Sequence, residues 1–290
     1  MSVVFLFLLA VAAGALTTLF SIPEDDLGRG YFQMNALVVL GLLAIALAAA
    51  WLGPHDLYPA VPIAGAGATT TTPAPVVVAL RRAGPSALLA SFAAAFAYYA
   101  AVWRERWRAA RAAAGLAVAA SMVALVAAGS ALVGRPTPLP ARDALLACGL
   151  VASALLLGWS LVTMLLGHWY LVAPRLAFRH LVVFCWVLLG TVLLRLAVVA
   201  MTLSAARRVD PLVEPHPYRL LTSLSGEGVF FWVRLLWGLA IPLALAVMSL
   251  HCARQRSNQS ATGILYVLVV GTFIGEITAL YLTVATGVPV

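Results

Sequence analysis

Eight long apolar runs constrain the fold of this chain more than any other feature. They cover about residues 3–20, 36–52, 86–103, 112–133, 144–172, 181–203, 229–252 and 263–286. A helix needs about 20 such residues to cross the hydrocarbon core of a bilayer. The composition agrees, since 63% of the 290 residues are hydrophobic and 10% are charged. We predict an all-α, polytopic integral membrane bundle of about eight transmembrane helices, forming a single domain over residues 1–290.

The basic residues indicate the orientation and the surroundings of this bundle. The net charge is +8, and all 18 basic residues are arginine. Most lie in short loops between apolar runs, where arginine sets topology and contacts anionic lipid, so we expect the lipid bilayer as a partner and no nucleic acid. The densest cluster, residues 104–111, should be cytoplasmic, which places both termini in the periplasm. Exclusive use of arginine is typical of a GC-rich genome, so we expect a bacterial cytoplasmic (inner) membrane.

Three ionisable side chains, Arg195, Arg234 and Glu276, interrupt the last three apolar runs. An ionisable group at membrane depth costs roughly 2.5 kcal/mol or more, so it usually faces the protein interior and has a partner. All three lie about 9–15 Å from the outer ends of their runs at 1.5 Å per residue. We predict that Glu276 pairs with Arg195 or Arg234, and that the G-x-x-x-G of Gly271 and Gly275 admits a neighbouring helix.

This intramembrane charge cluster has two interpretations. One is a buried Arg–Glu–Arg network that fixes the packing of the last three helices. The other is a proton, ion or quinone-headgroup site, because buried ionisable groups often mark such pathways.

Three histidines, His168, His180 and His251, are predicted near the cytoplasmic interface. Neutral imidazole can ligate haem iron or bond a quinone carbonyl. With Trp169 and Tyr170 beside His168, the same pattern also fits an interfacial aromatic belt. His168 is the best cofactor candidate because it lies within an apolar run, whereas His180 and His251 lie at the boundaries of theirs. No HExxH and no carboxylate at metal-ligand spacing is present, so no metal site is predicted apart from haem.

No catalytic motif identifies a reaction, so the sequence assigns no catalytic residue and leaves open whether the protein is an enzyme. The concentration of His, Arg, Glu and aromatic residues in the second half favours a membrane subunit of a respiratory or electron-transfer complex. Such a subunit would handle quinone, haem b or protons beside other membrane subunits. The alternatives are a small-solute or ion transporter that uses the Arg/Glu cluster, and a non-catalytic scaffold or assembly subunit.

Overall fold

The computed structural model describes residues 2–23, 27–52, 75–133, 139–172, 179–212 and 216–290. The helices are α1 (Ser2–Ser21), α2 (Arg29–Leu52), α3 (Pro75–Trp103), α4 (Trp107–Leu132), α5 (Arg142–Val172), α6 (Arg179–Arg207), α7 (Pro217–Thr222), α8 (Glu227–Leu235), α9 (Ile241–Arg254) and α10 (Asn258–Thr286). A π-helical turn joins α8 to α9, so that these two form one span. Within the described ranges there is no strand, and eight spans are long and apolar enough to cross a membrane. The chain is therefore an all-α, multi-pass membrane protein.

Several helices extend beyond the predicted apolar runs. Helix α2 begins at Arg29 instead of residue 36, and α3 begins at Pro75 instead of residue 86. The reason is that an apolar run marks only the part of a helix that lies within the hydrocarbon core. The backbone hydrogen bonds of the helix continue beyond it into the membrane–water interface. Arginine tolerates that position because its long stem reaches toward polar groups. In α3, for example, the Arg81 guanidinium donates a hydrogen bond to the Ser130 carbonyl of α4.

Helix α1 lies at the centre of the bundle, in contact with α2, α4, α5 and α10. Between Phe5 and Leu19 nearly all of its side chains are buried, on every side of the helix, as expected for a helix without a polar face. Gly14 of α1 crosses α5 at Gly158, where a Cβ added to either glycine would overlap the other helix's backbone. This close crossing keeps α5, which carries much of the polar centre, against the middle of the bundle.

The outer surface of the bundle is apolar at membrane depth. Leu89, Phe96, Leu194, Val270 and Ile274 are all exposed. Contiguous exposure of this kind is rare in soluble monomers and fits contact with lipid. At one end, Arg29 Nη1 lies 2.6 Å from Glu105 Oε1. This ion pair joins the α1–α2 and α3–α4 connections on a single face of the bundle.

Candidate functional site

Glu276 of α10 is the centre of the buried polar site and is fully buried. Arg195 of α6 contacts both carboxylate oxygens, with Nε 3.2 Å from Oε1 and Nη2 3.1 Å from Oε2. Arg234 of α8 donates from Nη2 to Oε1 at 2.7 Å. The predicted pairing is therefore present, and it involves both arginines instead of one. We call these three residues the charge cluster.

Two further groups form hydrogen bonds with the charge cluster. The Ser153 hydroxyl of α5 donates to Glu276 Oε2 at 2.6 Å. Arg195 Nη2 also donates to the main-chain oxygen of Val290 at 2.8 Å. Neither residue was predicted as part of the site. Ser153 carried a usable signal, because it is a hydroxyl in a helix that is otherwise apolar at that depth, whereas Val290 carried none.

The charge cluster contains more hydrogen-bond donors than acceptors. Arg195 Nη1, Arg234 Nε and Arg234 Nη1 are buried and have no partner among the described residues. A buried donor left without a partner costs about 1–3 kcal/mol, and more when it is charged. Of the two arginines, Arg195 lines a small cavity and is available to an additional acceptor atom, whereas Arg234 is not part of that lining.

A small cavity of about 10 Å³ adjoins Arg195. Its lining includes Gly149, Ser153, Thr283 and Pro289. A Cβ added at Gly149 would lie 3.8 Å from Arg195 Nη1, so the missing side chain leaves space beside this unpartnered nitrogen. The volume suits about one water-sized atom.

The segment after α10 closes one side of this cavity. Gly287 ends the helix with a positive φ of 75°, a conformation that glycine adopts without a Cβ penalty. The chain then folds back, with Val290 N donating to the Thr283 hydroxyl at 3.4 Å. Val288 and Val290 are buried. The fold-back brings the Val290 oxygen to Arg195.

The π turn at Leu236–Ala240 positions Arg234. It ends two residues before Pro242, whose ring in a regular α-helix would meet the carbonyl of Gly238 one helical turn earlier. Gly238 packs directly on the backbone of Gly275, and a Cβ added at Gly238 would lie 2.6 Å from Arg234 Nη1. The close approach predicted from the G-x-x-x-G is thus confirmed, and it places Arg234 beside Glu276.

The predicted histidines lie elsewhere, and their cofactor role stays a prediction. His168 is exposed, with Nδ1 3.0 Å from the Tyr266 hydroxyl. His251 is exposed beside Gln255, and His180 is partly exposed. In the described part of the chain, no three His, Cys, Asp or Glu residues group as metal ligands.

The two aromatic residues after His168 differ in their surroundings. Trp169 is half-buried and packs edge-on against Tyr31, with ring centroids 6.1 Å apart. Tyr170 is buried. An aromatic group therefore lies beside His168, as an interfacial belt or a ring-binding pocket would require.

The fold and the charge cluster define the class: a multi-pass helical membrane protein with an ionised site buried between α5, α6, α8 and α10. No protein-family profile and no curated protein sequence matches the chain. Since helical bundles serve many functions, the function must be argued from the site.

Proposed function

We propose that this protein is a small-solute or ion transporter that binds a small anion at the charge cluster. The observation that carries the proposal is the set of three buried guanidinium nitrogens without partners, on Arg195 and Arg234, among the described residues. Guanidinium donors form strong, charge-assisted hydrogen bonds to anionic oxygens. An incoming anion would supply the acceptors that the protein itself lacks.

The composition of the cluster supports binding over a purely structural role. A packing clamp needs one guanidinium for one carboxylate, yet two arginine side chains surround Glu276. Burying a second charge costs several kcal/mol unless something compensates it. The oxygen of Val290, the last residue of the sequence, accepts a hydrogen bond from Arg195 and offsets part of that cost, whereas three guanidinium nitrogens of the cluster still have no partner among the described residues.

The shape of the span that carries Arg234 also supports transport. In several transporter folds, the substrate lies near the middle of the membrane beside helices that are interrupted there. Here a π turn directly after α8 interrupts the α-helical ladder, and Arg234 is the penultimate residue of α8. Such turns are frequent at functional sites and allow a helix to change register locally.

Filling the cavity tests this proposal without removing a charge. The added methyl of Gly149→Ala would contact Arg195 Nη1 at 3.8 Å and Pro289 Cβ at 4.0 Å, both ordinary van der Waals distances. Gly190→Ala on α6 is the control, because nothing lies within 4 Å of its added Cβ. We expect chloride, a single-atom anion, to raise the melting temperature of the wild type and of Gly190→Ala, as any ligand of the native state must.

The Gly149→Ala variant should lose that stabilisation, and liposomes that contain it should lose the corresponding chloride flux. Potassium gluconate at equal ionic strength separates specific binding from screening. If no small anion stabilises the wild type beyond gluconate, the transport proposal is wrong.

A second candidate is a membrane subunit of a respiratory or electron-transfer complex. The observation that favours it is the contact of His168 with Tyr266 beside the half-buried ring of Trp169. A ring nitrogen and a tyrosine hydroxyl are suitable partners for a quinone carbonyl, and imidazole can also ligate haem b. In both candidates we place the protein in a bacterial inner membrane with its termini in the periplasm, on the basis of the arginine distribution.

A further inference from the structure

A line of hydroxyl groups runs along the contact between α5 and α10, which pack side by side. We define the polar seam as Ser153, Ser160 and Thr163 of α5 together with Tyr266, Thr272 and Glu276 of α10. All of these residues except Tyr266 are buried. The buried members fall at intervals of three, four or seven residues along each helix, so those on one helix share a face.

Three contacts cross between the two helices along the seam. Ser153 donates to Glu276 at 2.6 Å, and Thr272 lies 3.3 Å from Ser160. Tyr266 lies 3.0 Å from His168, which is exposed at the far end. Because residue numbers rise on α5 while they fall on α10, these contacts follow one antiparallel seam from the charge cluster to the opposite face. The distance from Ser153 to His168 is about 22 Å along the helix axis.

The steps between these contacts are longer than one hydrogen bond, so each needs a bridging water, the longest being about 7.5 Å from Thr163 to His168 along the axis. Glu276 and Thr272 lie one turn apart, about 6 Å along the axis, and Ser160 and Thr163 about 4.5 Å. The Thr163 hydroxyl is fully buried and has no partner within the described residues. A buried hydroxyl of this kind usually bonds an ordered water. It occupies the stretch between the Ser160 contact and His168.

Some hydroxyls of α10 bond a carbonyl of their own helix and nothing else. Thr278 is such a case, with its hydroxyl donating to Ile274 O at 2.7 Å. The hydroxyl of Thr272 differs, because Val269 O at 2.9 Å and Ser160 Oγ at 3.3 Å both lie within reach of its single hydrogen. Because this hydrogen can point to either acceptor, the Thr272 hydroxyl can reorient, and a hydroxyl must reorient to pass on a proton.

We propose that the polar seam conducts protons between the His168 face and Glu276. Hydroxyl and imidazole groups can each accept one hydrogen bond while donating another, so each can receive a proton and pass on a different one. A proton that enters at His168 ends on an oxygen of Glu276, and the Glu276 carboxylate becomes a neutral carboxylic acid. One proton moves through the seam, and nothing is oxidised or reduced.

Proton arrival would also affect the charge cluster. Glu276 faces Arg195 from α6, Arg234 from α8 and Ser153 from α5. When the carboxylate is neutralised, both guanidiniums lose their counter-charge, and an anion becomes the better partner. Coupling of proton and anion in this way rests on the proposed function, whereas conduction through the seam does not.

Proton flux into liposomes measures the conduction directly. Purified protein is reconstituted with a pH-sensitive dye trapped inside, and a potassium gradient with valinomycin drives proton entry. Thr163→Val removes the hydroxyl at nearly constant volume, and Thr163→Ser retains it. Thr278→Val is the matched control, since that hydroxyl bonds only its own helix.

We expect the wild type, Thr163→Ser and Thr278→Val to conduct at similar rates. Thr163→Val should conduct at least about tenfold more slowly, since a positioned proton-transfer group typically contributes about 10²–10⁴-fold. Equal rates for Thr163→Val and Thr163→Ser, or a wild type no faster than protein-free liposomes, would overturn the proposal. Anion binding by Thr163→Val, measured by thermal stabilisation, should persist, which separates a failed seam from a failed anion site.

Discussion

Glu276 is held by Arg195 and Arg234 at the same time, with nitrogen–oxygen distances of 3.1 and 2.7 Å. The two arginines lie on different helices: Arg195 contacts both carboxylate oxygens, and Arg234 contacts Oε1. One carboxylate therefore joins three separate spans within the membrane. The stability of the bundle should depend on this junction and on the elements that support it.

Removing the Glu276 charge should destabilise the protein strongly. In Glu276→Gln both guanidiniums stay buried without a counter-charge, and breaking a buried ion pair in this way costs about 3–5 kcal/mol. Glu105→Gln is the control, because the Arg29–Glu105 pair is exposed, with the two side chains 41% and 64% accessible. That change should cost about 1 kcal/mol or less. Unfolding of the detergent-solubilised variants compares the two, and equal costs would mean that the cluster does not hold the spans together.

The glycine contact below the cluster should not tolerate a side chain. A methyl at Gly275 would overlap the backbone of Gly238 in the π turn. We expect Gly275→Ala to lower the stability by about 1–3 kcal/mol, as overpacking does. Gly263→Ala on the same helix meets nothing within 4 Å and should be neutral or stabilising. Thermal melting of both variants measures the difference, and a stable Gly275→Ala would show that α10 and the π turn can separate at little cost.

The His168 region separates the two candidate functions. If the protein binds haem b there, the purified protein should have a Soret band that shifts on reduction, and His168→Ala should lose it. If it binds quinone, His168→Ala should weaken quinone or inhibitor binding without a spectral change. Tyr281→Phe keeps an exposed aromatic on α10 away from His168 and serves as the control. If His168→Ala changes neither property, the electron-transfer candidate loses its best residue.

The arginine distribution predicts the orientation of the bundle. A reporter that is active only in the cytoplasm should work when inserted at Ala109, within the basic cluster, and should fail when fused after Val290. A reporter active only in the periplasm should give the opposite pattern. Cytoplasmic activity from the fusion after Val290 would reverse the predicted orientation, while the pairing within the charge cluster would be unaffected.

The sequence by itself determined the spans and the depth of the charged groups. Without water in the bilayer core, a spanning chain must satisfy its backbone internally, so long apolar runs can only be helices. The rise of 1.5 Å per residue then places Arg195, Arg234 and Glu276 at similar depth from residue counts alone. Their pairing follows, because an ionised group at that depth requires a partner. The close approach at Gly275 was predictable for a similar reason, since only small residues let helix backbones touch.

Only the tertiary structure decided which helix faces lie together. Rotation about each helix axis and the choice of neighbours depend on packing between segments far apart in sequence, such as Gly14 against Gly158. For that reason the sequence did not predict α1 at the centre, Ser153 on Glu276, or the space that Gly149 leaves beside Arg195. The sequence also did not predict that α2 begins at Arg29, because an apolar run shows which residues lie within the hydrocarbon core and not where the helix begins.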